Sequence, residues 1–163
     1  MIAREVMSTS VKVVTPLTTL AEAASIMKLY DVGFLPVVDA SNLSHLAGVL
    51  TDRDLVLRGL ADRRSADLTV RLAMSNPPLV TARETTEVHE LLRMMQRHQI
   101  RRIPIVSNDG ILTGVVSQGD LALRIGPSEP EAIEELLERV SAPAWMTPLL
   151  NGAVQEPRGD HRG

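Results

Sequence analysis

Cysteine is absent from the chain, which excludes disulfides, thiolate metal sites and cysteine nucleophiles and fits a reducing compartment. Aromatics are nearly absent as well: one Phe, one Tyr and one Trp in 163 residues. With 44% apolar residues, a core must then be built from Leu, Val, Ile, Met and Ala. Basic excess is missing too. The net charge is −3, so nothing is available to neutralise a run of phosphates, and no nucleic-acid partner is expected. No run approaches the roughly 18 apolar residues of a membrane span. Arg4 and Glu5 interrupt the place where a signal peptide would need its apolar stretch. The expectation is a soluble, cytoplasmic protein without a membrane partner.

What is present is a repeat, the first thing to test in any chain. "TLAEAASIMKLYDVGFLPVVD" lies over "EVHELLRMMQRHQIRRIPIVS" at an offset of 68, so that Met27 meets Met95 and Pro36 meets Pro104. After a loop two residues shorter in the second copy the offset becomes 66. Gly48 then meets Gly114, Thr51 meets Ser117 and Asp54 meets Asp120. Upstream, "REVMS" faces "RLAMS". The duplication divides the chain into a first repeat over 1–62, a linker over 63–68 and a second repeat over 69–126. A C-terminal helix and docking segment follows over 127–150, and a tail over 151–163 that lacks apolar pattern and is expected to be disordered.

Each copy carries the same coarse plan. A short strand is expected over Val11–Thr15 and again over Leu79–Ala82. Leu20, Ala23, Ala24 and Met27 then recur at helical spacing, as do Val88, Leu91, Leu92 and Met95. Thr19 and Glu22 stand in capping-box register. Two β-branched runs follow, "FLPVV" and "LAGVL", matched by "RIPIV" and "LTGVV", with "SNDG" as a turn between the latter pair. A second helix closes each copy, over Arg53–Leu60 and Gly119–Ile125.

The repeated Gly-x-x-Thr/Ser-x-x-Asp has two compatible readings. As a cap, Thr51 and Ser117 accept from the first helical turn, and Asp54 and Asp120 reach back to the cap's own N–H. As a grip, a strand ends at a Gly that a ligand can approach closely. A helix N-terminus then offers N–H groups to phosphate oxygens, and a short carboxylate takes the two hydroxyls of a ribose.

The order strand–helix–strand–strand–helix, written twice, resembles the cystathionine-β-synthase (CBS) domain and its tandem pair, the Bateman module. The matching text is "VMS…V", "LAEAASIM", "GFLPVVD" and "GVLTDRDL", with their counterparts. "TDRDLVLRGLA" is also similar to stand-alone CBS-pair proteins of the hypoxic-response type. The resemblance implies an α/β (α+β) fold, two small sheets in a pseudo-two-fold module with two clefts, and dimerisation. It implies that Thr51, Asp54, Ser117 and Asp120 contact ribose or phosphate of an adenosine ligand such as AMP, ADP, ATP, S-adenosylmethionine or NAD, with or without magnesium.

The base pocket implied by that resemblance falls at Val13, Val14, Phe34, Leu35 and Pro36 in the first copy, and at Thr81, Ala82, Ile103 and Pro104 in the second. These residues read equally as core. Arg97, Arg101 and Arg102 occur only in the second copy, where they face phosphates or solvent; guanidinium forks suit the former role. Val13 stands where the second copy has Thr81, and Phe34 is bulky enough to fill a cleft mouth.

Catalytic signals are few. His45, His89, His98 and His161 show no metal-ligand spacing, and no phosphate loop or Ser-His-Asp context occurs. A non-catalytic regulator is expected, with no required cofactor or metal. The alternative is a ligand-free dimeric scaffold. After the repeats, Ser128 and Glu131 are placed as a capping box around Pro130. Ile133, Leu136, Leu137 and Val140 form an apolar stripe that must bury against its own repeats, a sister chain or a client protein. Trp145 is expected to pin this segment.

Overall fold

The computed structural model describes residues 1–142. The expectation on Trp145 and the tail over 151–163 lie outside them. The elements run in chain order as α1 (Ala3–Val6), α2 (Leu20–Tyr30), β1 (Phe34–Val38), β2 (Leu46–Thr51) and α3 (Asp52–Asp54), then a π-helix (Leu55–Leu60) and a 3-10 turn (Val70–Leu72). α4 (Val88–His98), β3 (Arg102–Val106), β4 (Leu112–Ser117), α5 (Gln118–Ile125) and α6 (Pro130–Ser141) follow. Among the described residues no helix is long and apolar enough to cross a membrane.

β1 pairs antiparallel with β2, and β3 with β4, in the same register: Phe34 opposite Thr51, Arg102 opposite Ser117. Each hairpin gains one flanking segment from either side. The expected strands at Val11–Thr15 and Leu79–Ala82 reduce to single parallel bridges, Val14 to Val37 and Ala82 to Ile105. Proline explains why. Val14 donates to the Pro36 carbonyl and accepts from Val38 N–H, but extending the ladder backward needs an N–H on Pro36, and forward one on Pro16. In the second copy Pro104 blocks the backward step, and the Arg83 guanidinium occupies the Val106 carbonyl at 3.3 Å.

The other sheet edges are exchanged between repeats. Ser8 bridges Val115 of the second hairpin, and Ser75 bridges Val49 of the first. Ala3 and Val6 accordingly belong to the core of Leu91, Met95, Ile103 and Leu121, whereas Val70, Ala73 and Met74 join Leu35, Val37 and Leu50. This exchange accounts for the repeated glycines. A Cβ on Gly48 would lie 2.8 Å from the Ser75 carbonyl oxygen, and one on Gly114 2.9 Å from that of Ser8. The close neighbour on the Cβ side of each Gly is therefore the other repeat, its backbone included. The repeats also meet through Ser44–Leu46 and Gly110–Leu112, which exchange Leu46 N–H to Gly110 and Leu112 N–H to Ser44.

The helix expected over Arg53–Leu60 begins one residue earlier, at Asp52, and changes after Asp54 to π winding, with Ala61 N–H reaching the Val56 carbonyl. α6 packs on α4 and α5, so its stripe buries against its own second repeat. Ile133, Leu136 and Val140 are buried and Leu137 is exposed. The expected Ser128–Glu131 box does not form: the N-cap is Glu129, without a side-chain bond. The Ser128 hydroxyl donates instead to the Ile125 carbonyl at 3.0 Å, closing the end of α5. Pro130 takes the first helical position as its fixed φ favours.

Candidate functional site

Both repeated motifs are complete capping boxes at the junction of a strand and a helix. Thr51, in extended backbone, accepts the Asp54 N–H at 3.1 Å. Asp54 Oδ2 accepts the Thr51 N–H at 2.9 Å and its hydroxyl at 2.8 Å. Ser117 and Asp120 repeat the arrangement at 3.1, 2.7 and 2.6 Å. Each carboxylate thus spends one oxygen on its cap and leaves the other, Oδ1, for something else.

The two copies differ in what that other oxygen meets. Asp54 Oδ1 lies 3.5 Å from Arg58, and the Asp54 side chain is only 16% exposed. Arg58 in turn donates to the Ala73 carbonyl at 2.9 Å and to Ser75 Oγ at 3.3 Å, tying the π-helix to the exchanged edge. Arg124 is its counterpart one turn beyond Asp120, yet among the described residues no ion pair joins them. Asp120 therefore keeps an acceptor oxygen that no described residue engages. Beside it, Gln118 Oε1 is buried without a hydrogen-bond partner. The second copy also has a regular α-helix of eight residues behind its cap, where the first has three residues before the π winding.

Of the residues expected at a base pocket, the structure turns most inward. Leu35 and Ile103 are fully buried, Val14 and Ala82 nearly so, and Pro36 and Pro104 are buried as well. Only Val13, Phe34 and Thr81 keep accessible side chains. Any contact from the buried ones would come through their backbone. Phe34 and Arg102, equivalent positions in the two repeats, meet across the pseudo-two-fold, with the guanidinium 5.9 Å from the ring centroid. Arg101 is held at the α5 N-terminus by its carbonyl, which accepts Gln118 N–H at 2.9 Å. Arg97 lies exposed on α4, and no hydrogen bond or ion pair joins it to the others. The structure thus gathers Arg101, Arg102, Ser117 and Asp120, with Phe34 at their margin.

Between the repeats lies a cavity of about 170 Å³, lined among others by Val11, Val13, Leu43, Ser44, Leu112 and Thr113. That is below the roughly 300–1,000 Å³ usual for ligand pockets. Sequence reasoning missed Arg58 and Gln118. Arg58 carried a signal, since it follows Asp54 at the i,i+4 spacing of an ion pair; Gln118 carried none.

Comparisons with known proteins agree with this architecture. The family model for the CBS domain matches residues 3–60 and 70–126. The uncharacterized protein YlbB of Bacillus subtilis is 42% identical over 120 residues, 74% of this chain and 79% of that protein. Hypoxic response protein 1 of Mycobacterium tuberculosis is 31% identical over 142 residues, 86% of this chain and 94% of its own length. Among solved structures, the CBS domain protein PAE2072 from Pyrobaculum aerophilum, complexed with AMP, superposes with a TM-score of 0.70 at 26% identity. It covers 87% of this chain and all of that one. CBSX2 in complex with AMP gives 0.65 at 27%, over 76% and 97% of the two chains.

Proposed function

The chain belongs to the CBS-domain family, and from that premise we propose that it is a non-catalytic regulatory module. It binds an adenosine-containing ligand in a cleft between its repeats, and binding changes its conformation or its association with a client protein. The observation that carries the reading is the Asp120 carboxylate. One of its oxygens fixes the cap while the other faces no partner, at a helix N-terminus bordered by Arg101 and Arg102. A ribose diol fits the free oxygen, and the two guanidinium groups suit the phosphates. The AMP complexes of PAE2072 and CBSX2 support adenosine as the ligand class. The module works as a homodimer and transmits the ligand signal by differential affinity for two states.

A second reading, a ligand-free interaction scaffold, is favoured by the small cavity and by Phe34 lying under Arg102. A thermal-shift screen separates the two. It would use AMP, ADP, ATP, S-adenosylmethionine and NAD, each with and without magnesium. A ligand at about a hundred times its dissociation constant stabilises the fold by ~2.7 kcal/mol. The sensor reading expects one compound to do so; a midpoint unmoved by all of them favours the scaffold.

A further inference from the structure

The residue that follows each cap sits against the residue that precedes each hairpin. Asp52 N–H donates to the Gly33 carbonyl at 3.1 Å, and Gln118 N–H to the Arg101 carbonyl at 2.9 Å. In the first repeat this leaves no room for a side chain at position 33. A Cβ on Gly33 would fall 2.6 Å from Asp52 Oδ2, so a carboxylate stands where the second repeat grows the Arg101 side chain. The same place is anionic in one copy and cationic in the other.

Around it the contrast recurs. Asp31 caps the C-terminus of α2 where Gln99 caps that of α4, and Phe34 opens β1 where Arg102 opens β3. Each exchange makes the second copy more positive. Among the described residues no ion pair joins Asp52 to its neighbour Arg53, and none engages Arg101 or Arg102.

Gln118 is what keeps the second copy positive. An acid at that position would lie beside Arg101 and cancel its charge; the amide does not. Nothing inside the fold otherwise accounts for the amide, since its Oε1 is buried without a hydrogen-bond partner. Such an acceptor costs stability until a donor reaches it. A phosphate beside Asp52 meets a like charge, whereas beside Arg101 it meets a guanidinium fork. An opposing charge is an economical way to refuse one ligand and admit another.

We propose that the residue after each cap decides which ligand charge its cleft admits. Gln118 leaves Arg101 and Arg102 uncompensated and selects a phosphorylated nucleoside for the second cleft. Asp52, filling the space against Gly33, turns phosphate away from the first, so that one nucleotide binds per chain. This rests on the adenosine-binding reading above and names the charge class and the number of its ligands.

The test is isothermal titration of the full chain with AMP and with adenosine, which differ only in the phosphate. The wild type is expected to bind one AMP per chain, and to bind it more tightly than adenosine. Gln118→Glu keeps the length and the acceptor oxygen and adds only a charge, at a helix N-terminus that favours acids. It should weaken AMP about tenfold or more and leave adenosine within about twofold. Arg101→Gln, at an exposed position, should give the same split by removing the cation. AMP and adenosine weakened together in both variants would make these residues structural and overturn the proposal. AMP binding that neither variant changes, or two AMP per wild-type chain, would overturn it as well. A wild type that binds neither compound overturns the adenosine reading itself.

Discussion

At Gly48 and Gly114 a single residue type reports on a contact between repeats. The carbonyl oxygens of Ser75 and Ser8 stand only 2.8 and 2.9 Å from where a Cβ would go, and backbone cannot swing aside as a long side chain can. Gly114→Ala is therefore expected to cost about 1–3 kcal/mol in chemical denaturation, with the exchanged edge at Ser8 loosened in hydrogen exchange. Unchanged stability would mean that the edge shifts freely. The Thr51–Asp54 and Ser117–Asp120 boxes were legible in the sequence, because a capping box is a local spacing. The reason for the glycines was not, because Ser8 and Gly114 meet only after the edges are exchanged. The difference between the two aspartates was half legible. Arg58 and Arg124 occupy the same position in both copies, and the folded geometry alone shows that one bridges and the other does not.

Helix periodicity placed α2, α4 and α6 correctly, since each must bury one apolar face. The first strand of each repeat was misjudged because apolar alternation says nothing about which N–H groups proline removes from the facing strand. At α6 the choice among own repeat, sister chain and client was open from sequence, since a stripe does not name what covers it. Leu136 is fully buried against the second core, so Leu136→Ala should destabilise the protein by about 2–5 kcal/mol, read from urea midpoints; a loss well under 1 kcal/mol would mean that α6 is only loosely docked. The cap of α2 gives a pH signature. Hydrogen bonds from the Thr19 backbone and side chain hold the Glu22 carboxyl below the usual range. A depressed folded pKa means that the contribution is present above the unfolded value of about 4.3 and is lost as pH falls through the folded one. Melting temperatures in that acidic window should fall less steeply for Glu22→Gln than for the wild type; parallel curves would contradict the cap's part in acid sensitivity.

The tandem duplication, and with it the fold, was legible across most of the chain because both copies keep the same apolar positions and turns. What the sequence concealed is that the packing units are not the sequence units. Residues before Thr9 complete the second core and residues 70–75 complete the first. Burying a charge at one of these positions should therefore act crosswise. Ala3→Asp is expected to loosen β4 and α5 in hydrogen exchange while leaving β1 and β2 protected, and Ala73→Asp to do the reverse. Loosening confined to the mutated residue's own sequence repeat would contradict the exchange. On the proposed function, the same interlock would give a ligand between the repeats a route to the whole module, since a shift at one sheet is carried by an edge that starts in the other.

The central claim is that the Asp120 side of this module holds an adenosine ligand. Its most direct test is isothermal titration of AMP into the wild type, Asp54→Ala and Asp120→Ala, at a temperature where all three are folded. The account predicts binding that weakens about tenfold or more in Asp120→Ala and persists nearly unchanged in Asp54→Ala, whose carboxylate is already engaged by Arg58. AMP binding that is equally strong in all three proteins would contradict it.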